Sequence, residues 1–285
     1  MAEALVFGGS GQIGVPVRAR LHAQGWHVHA LSRQAHEDND GTTWLRGDFA
    51  DMPPLPPRVD AIFSLGPLDR FAAWFAASRI DAPRVVAFGS TSLETKRDSR
   101  DPCERDLVRR LGDAERSLFE AAAARGAHAT LLRPTLVYGA GGDRTLTRIA
   151  RLAGRAGFFV LPRGANGLRQ PVHVDDLADA ALAVLDRPAT FGRGYALPGG
   201  EALAYREMVA RTLAALDPPP RLREVPAPLF ALALSAARRL GKLQELGDAA
   251  VARMREDLVF DAEPARRDFG YAPRAFAPAR EMFGL

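Results

Sequence analysis

Gly8, Gly11 and Gly14 stand three residues apart directly after the apolar run Leu5-Val6-Phe7. Glycines so spaced allow a tight turn, let backbone N–H groups come close to a pyrophosphate, and bring a following helix against its strand. Gln12 and Ile13 open that helix, whose positive dipole end and unpaired N–H groups attract the same anion. Ser32 and Arg33 close the next apolar run, where the adenine ribose of a dinucleotide would lie. An acidic residue there grips a ribose 2′-OH, whereas an Arg pairs with a 2′-phosphate through a charge-assisted bond of ~1.5–3 kcal/mol. The expected ligand is therefore NADP(H), with NAD(H) the weaker alternative, and Ser32 adds a hydroxyl to the same phosphate. The competing reading of Arg33 is a solvated surface residue.

These residues need a scaffold, and the chain alternates strands and helices to supply one. Ile13, Val17 and Leu21 recur at helical spacing, Gly25 stops the helix, and Val28 to Ser32 completes a βαβ unit. Thr42 to Arg46 reads as a third strand, followed by Asp48 and Phe49, a carboxylate and a ring to meet an adenine. Val59 to Leu65 is a fourth strand closing in Leu65-Gly66-Pro67, and Arg84 to Phe88 a fifth ending in Gly89-Ser90-Thr91-Ser92. A helix over Glu104 to Arg125 and a sixth strand over Ala129 to Leu132 follow. The pattern predicts an α/β protein: a Rossmann-type doubly wound parallel sheet, ligand at the carboxyl ends of its strands, with a smaller C-terminal substrate lobe. Residues 1–140 are expected to form the dinucleotide-binding core, 170–198 to return to it, and 141–169 with 199–285 to form the lobe.

Composition removes several classes. At 285 residues and 47% hydrophobic content the chain buries a sizeable core. Of 38 basic residues only Lys96 and Lys242 are lysines, leaving 36 arginines, so the excess reflects amino-acid usage more than a nucleic-acid surface. Net charge is +4 and no basic run exceeds Arg109-Arg110 or Arg266-Arg267, so no nucleic-acid partner is expected. The single Cys103 excludes an intramolecular disulfide and fits a reducing, cytoplasmic setting. No signal-peptide pattern opens the chain. The longest mostly apolar run, Ala227 to Ala237, opens the apolar segment Pro226 to Leu240, expected to be helical, and is too short to span a bilayer. No Cys/His set has metal-ligand spacing, so no metal is expected.

The chain resembles extended or atypical short-chain dehydrogenase/reductases of the NAD-dependent epimerase/dehydratase type. The resemblance is carried by Gly8-Gly9-Ser10-Gly11-Gln12-Ile13-Gly14, Gly47-Asp48, Arg84 to Thr91, Leu132 to Gly139, His173-Val174-Asp175-Asp176-Leu177-Ala178 and Phe269 to Arg274, in the family's order. It implies that Gly8, Gly11, Gly14, Arg33 and Asp48 touch the cofactor and that Leu65-Gly66 passes near its ribose. It implies that Thr91 or Ser90 is the catalytic hydroxyl, and that Arg133, Tyr138 and His173 fall near the substrate, Tyr138 reading more readily as a packing residue at a strand end than as a proton donor. Related proteins dimerise through long helices, and Leu118 and Phe119 are compatible with such a homodimer.

One departure decides the functional question. In this family a Tyr and a Lys sit four residues apart on the helix after the fifth strand, the Lys lowering the Tyr pKa so that the phenol passes a proton. Here those positions are Leu107 and Leu111, and no Tyr-x-x-x-Lys occurs anywhere. Losing a general acid costs ~10²–10⁴ in rate. The substitutes on offer are Glu104 and Asp106, which also read as ordinary first-turn acids; Lys96; and His173, which also reads as a helix-entry residue with Asp175 or Asp176 as cap. Arg144, Arg148, Arg151, Arg155, Arg163 and Arg169 are candidates to grip a phosphate or carboxylate of a small-molecule substrate, whereas the three- and four-residue spacing of Arg144, Arg148, Arg151 and Arg155 is better explained by a solvated helix face. Two functions follow: an NADP(H)-dependent oxidoreductase or epimerase-like enzyme with an altered proton relay, acting on a carbonyl or nucleotide sugar; or a dinucleotide-binding redox sensor or assembly subunit without turnover.

Overall fold

The computed structural model describes residues 1–285 apart from 39–40, 100, 144 and 240–246. In chain order its elements are β1 (Glu3–Phe7), α1 (Gly14–Ala23), β2 (His27–Ser32), β3 (Thr42–Arg46), β4 (Ala61–Ser64), α2 (Leu68–Ala77), β5 (Arg84–Phe88), α3 (Ser92–Thr95), α4 (Pro102–Ala123) and β6 (His128–Pro134). There follow β7 (Val137–Tyr138), α5 (Leu146–Ala156), β8 (Phe158–Pro162), β9 (Leu168–Arg169), β10 (Val172–His173), α6 (Val174–Ala183) and β11 (Arg193–Leu197). The chain ends through β12 (Leu203–Ala204), α7 (Tyr205–Ala214), β13 (Arg221–Val225), α8 (Ala227–Arg239), α9 (Asp248–Arg253) and α10 (Glu263–Phe269). Two compact units result, one of residues 1–135, 173–198 and 261–273, the other of 136–172, 199–260 and 274–285.

The first unit is a seven-stranded sheet in the order β3-β2-β1-β4-β5-β6-β11, every neighbouring pair parallel. Strands buried on both faces read as continuous apolar runs, which is why β1, β4 and β5 lack polar alternation. On one face Leu5, Phe7, Ile62 and Val85 pack with Phe71 and Phe75 of α2 and Leu118 of α4. On the other face α1 pairs with α6, and Arg20 bridges to Asp175 and Asp179. Strand order reverses between β1 and β4, and the carboxyl ends flanking such a switch point form the crevice where this architecture takes its ligands. The expected doubly wound sheet is present, with strand ends displaced by a residue or two from the sequence expectation. Leu118, expected to be compatible with a dimer contact, is instead fully enclosed in the unit's own core.

Three segments differ from expectation. Residues 261–273, expected in the C-terminal lobe, belong to the first unit. Tyr195 of β11 donates its hydroxyl to Asp268 at 2.8 Å, and Tyr271 donates to the Pro198 carbonyl at 2.8 Å, so the β11 edge is closed by chain from far downstream. Residues 136–140 and 170–172, expected in the core, join the second unit, where Val172 N–H donates to the Leu136 carbonyl at 2.9 Å. That unit closes on its own core, in which α5 and α7 enclose Tyr138, Phe276 and Phe283. No described helix is long and apolar enough to cross a membrane.

Arg84 opens β5 from a fully interior position without a carboxylate partner. Its guanidinium donates to the carbonyls of Leu185 at 2.9 Å, His128 at 2.6 Å and Val184 at 2.7 Å, and to the hydroxyls of Thr130 at 2.6 Å and Thr190 at 3.0 Å. Burial pulls its pKa down to about 10. The side chain thus fastens β5, β6 and the end of α6 to one another through donors alone. Arg84→Met would leave buried acceptors unmatched, and is expected to lower unfolding free energy by about 2–4 kcal/mol in urea titration.

Candidate functional site

The glycine loop is built by close backbone approach. Gly8 has φ +81°, a left-handed conformation suited to glycine, and a side chain there would meet the Leu65 carbonyl carbon at 3.2 Å. The loops after β1 and β4 therefore lie backbone to backbone at the switch point. Gly11 N–H donates to the Gly8 carbonyl at 2.9 Å. A methyl on Gly14 would overlap that same carbonyl oxygen and come within 2.6 Å of the Gly9 oxygen. Helix α1 carries no side-chain cap at Ile13 and no acid in its first turn; Val15 N–H donates to the Gly11 carbonyl at 3.1 Å and Pro16 has no N–H, so the Gly14 N–H and the helix dipole are what the first turn offers an anion. Gly8 lies against the backbone of Leu65 and Gly66, Gly11 and Gly14 lie against the Gly8 carbonyl, Gln12 and Ile13 stand between them in the chain, and the Gln12 Oε1 is buried with no hydrogen-bond partner among the described residues.

Beside the loop, the end of β2 carries a polar cluster. Ser32 Oγ lies 3.4 Å from Ser10 Oγ and 3.0 Å from His36 Nε2, and accepts from Gln34 N–H at 3.2 Å. The His36 ring stacks on Trp44 at 4.1 Å, and the Arg18 guanidinium lies 4.6 Å over the same indole while donating to the Gly9 carbonyl at 2.9 Å. Burial pushes the Arg18 pKa down. Arg33 is exposed. Asp48 accepts N–H groups from Ala50 at 2.8 Å and Asp51 at 3.1 Å, which hold its carboxyl below the usual range, and Phe49 stacks on Phe7 at 5.3 Å. Ser10, Arg18, His36 and Trp44 escape a reading of the sequence because no spacing rule joins them. Only the β2–β3 register, with Ala30 opposite Trp44, brings them together.

At the end of β5 the two candidate hydroxyls differ. Thr91 is buried, and its Oγ1 donates to the Pro134 carbonyl at 3.1 Å. Ser90 is half-buried, and its Oγ accepts from Ser92 N–H at 3.1 Å, which leaves its own proton available. Leu107 is half-buried on α4 and Leu111 packs against the core. Lys96 Nζ lies 3.2 Å from Glu104, which also accepts from Ser99 Oγ at 2.6 Å, so these two candidates neutralise each other. Asp106 holds Arg109 and Arg110, and α4 is capped by Asp101, whose carboxylate accepts from Cys103 N–H at 2.9 Å.

The residues expected near a substrate fare unevenly. Arg133 makes a two-pronged pair with Glu115, at 2.8 and 2.5 Å, which raises its pKa. His173 is itself the cap of α6, its Nδ1 accepting from Asp175 N–H at 3.1 Å; neither Asp175 nor Asp176 takes that place. One expectation is corrected. Arg169 is 6% exposed, and its donors end on the carbonyls of Leu168, Glu256 and Arg253, so it fastens the second unit rather than facing a substrate. Tyr138 is 1% exposed and packs edge-on to Phe276 at 4.9 Å, as its packing reading required. Arg144 lies outside the described residues. No group of three or more metal-ligating side chains occurs among the described residues.

The model of the NAD dependent epimerase/dehydratase family matches residues 113–197, from the middle of α4 to the end of β11. Along its length the chain is similar to a 2-alkyl-3-oxoalkanoate reductase of Stenotrophomonas maltophilia, 27% identical with 95% of each chain covered. An epimerase of Methanothermobacter thermautotrophicus has the same fold, with a TM-score of 0.72, 16% identity, and 99% of this chain and 90% of that one covered. So does a Bordetella bronchiseptica enzyme solved in complex with NAD⁺, with a TM-score of 0.69, 17% identity, and 99% and 96% covered. The fold and the family resemblance carried by the motifs are thereby shown.

The Gly14 contact is open to test without any ligand. Gly14→Ala must push α1 off the Gly8 carbonyl and is expected to cost about 1–3 kcal/mol in thermal or urea unfolding. Gly25→Ala, where nothing lies within 4 Å of the added carbon but φ is +76°, reports the cost of backbone strain alone.

Proposed function

We propose that this chain is an NADP(H)-dependent oxidoreductase that reduces or oxidises a carbonyl centre of a small molecule. The observation that supports the proposal is the switch point between β1 and β4, where Gly8 lies against the Leu65-Gly66 backbone and Gly14 against the Gly8 carbonyl, so that the glycine loop and the start of α1 stand at the carboxyl ends of the strands. The Gly14 N–H and the dipole of α1 hold the pyrophosphate, and Ser32 and Arg33 bind a 2′-phosphate at the end of β2. Arg18, aligned over Trp44 and tied to the Gly9 carbonyl, adds positive charge beside that end of the ligand. Asp48, kept ionised by two backbone N–H groups, accepts from the adenine amino group.

When bound, the nicotinamide supplies or takes up the hydride. The chain must then place a hydrogen-bond donor on the carbonyl oxygen. Thr91 spends its proton on Pro134, so Ser90, whose proton is uncommitted, is assigned that role. Leu107 and Leu111 provide no proton relay, so the final proton comes from solvent or from the substrate itself. Similarity along nearly the whole length to a reductase of oxoalkanoates supports a carbonyl substrate over a nucleotide sugar.

Steady-state oxidation of NADPH with a panel of β-keto acids, ketones and aldehydes tests this. Turnover with NADPH is expected to exceed that with NADH, and Arg33→Asp is expected to raise the KM for NADPH about 10–100-fold while barely moving that for NADH. Ser90→Ala is expected to lower kcat by about 10²-fold, as loss of a donor to a developing oxyanion does, whereas Thr91→Val acts on stability. Binding of NADPH without turnover on the panel would contradict the enzyme reading and favour the non-catalytic subunit that Leu107 and Leu111 suit.

A further inference from the structure

Helix α8 turns an uncharged face to solvent. A quarter of the chain's residues are charged, yet Pro226 to Ala236 holds none, and Ser235 is its one polar side chain. Leu234 is buried, whereas Leu229 and Leu232 are 57% and 69% exposed. Leu229, Leu232, Ala233 and Ala236 recur at the spacing of a single helical stripe, and all four are exposed. The solvent side of α4, by contrast, carries Arg105, Arg109, Arg116 and Glu120. A helix that is apolar on its outer side as well as its inner one is built to be covered.

The unit that carries this face is the basic one. Of the 38 basic and 34 acidic residues, 17 and 10 fall in the second unit, which gives it a net charge of +7 and leaves the first at −3. Arg221 and Arg223 of β13 lead into α8, Arg239 closes it, and all three are exposed. Arg163, also exposed, stands beside the start of the helix, where its N–H donates to the Val225 carbonyl at 2.8 Å. Among the described residues none of these four arginines forms an ion pair with a carboxylate. The neighbouring acids, Glu224 and Asp248, already hold Arg206 and Arg238.

Charge and side-chain type together select the occupant. A second copy of the chain would set one +7 unit against another. The exposed stripe offers leucine and alanine with no aromatic anchor of the kind that dominates protein interfaces. With 13 residues α8 is too short to cross a bilayer but can lie along its surface. An anionic lipid surface takes both features at once. The leucines enter the acyl boundary, and the arginines extend their stems so that the guanidinium groups meet the headgroups.

We propose that the outer face of α8 docks the chain reversibly on an anionic membrane surface, with Leu229 and Leu232 inserted and Arg221, Arg223 and Arg239 at the headgroups. This face shares no residue with the dinucleotide crevice and stands whether or not the chain turns over NADPH.

Sedimentation of the full chain with phosphatidylcholine vesicles containing about 30% phosphatidylserine, against vesicles of phosphatidylcholine alone, tests this at about 100 mM NaCl. The chain is expected to partition at least tenfold more strongly onto the anionic vesicles, and less as salt is raised to about 500 mM. Leu229→Glu/Leu232→Glu is expected to weaken that partition at least tenfold while leaving the unfolding midpoint in place, because both side chains already face solvent. Leu229→Ser/Leu232→Ser gives the same direction should the added charge impair folding. Arg221→Glu/Arg223→Glu is expected to remove most of the preference for phosphatidylserine. Absence of co-sedimentation with the anionic vesicles, or co-sedimentation that both leucine variants leave unchanged, overturns the proposal. A dimer seen by analytical ultracentrifugation and lost in the leucine variants, with no vesicle binding, assigns the face to a second copy instead.

Discussion

Two pieces of backbone, at Gly8 and Gly14, lie so close that no side chain fits between them, and the first unit is arranged around that contact. Because α1 sits directly on the loop, its N-terminus points into the carboxyl end of the sheet with no cap of its own. Because Gly8 also faces the backbone of Leu65, the β1 and β4 ends converge where the strand order reverses. The positive dipole end and the Gly14 N–H are left for an anion to match. One steric constraint thus produces both the helix placement and the ligand preference.

Arginine plays a second organising part. Arg84 and Arg169 are buried with their donors ending on backbone carbonyls and hydroxyls, and Arg133 is held by Glu115. A guanidinium has five donors and no acceptor, so it is suited to ends of strands and helices where several carbonyls lack partners. Such residues resemble ligand-binding arginines in a sequence, since residue type reveals the charge and not where the donors end. Arg151 and Arg155 of α5 are of the opposite kind, exposed and with no carboxylate in ion-pair distance among the described residues.

Much of the sheet was legible in advance, because β1 through β6 are short apolar runs separated by glycine or proline turns, a local signal. The glycine cradle was legible for the same reason, its chemistry residing in seven consecutive positions from Gly8 to Gly14. The cluster of Ser10, Arg18, Ser32, His36 and Trp44 was not, because it depends on strand register. The return of residues 261–273 to the first unit was equally hidden, since it rests on Tyr195 reaching Asp268 across 73 positions of chain. His173 had the right pKa range for a base, but a neighbouring N–H group claims its Nδ1 as a cap.

The most direct measurement is fluorescence titration of the unaltered chain with NADPH, NADP⁺, NADH and NAD⁺. Trp26, Trp44 and Trp74 all belong to the first unit, so energy transfer to a reduced nicotinamide bound there reports occupancy. The account predicts binding of all four, with NADPH at least about tenfold tighter than NADH, the preference one charge-assisted phosphate contact supplies. Failure to bind any of the four would contradict it.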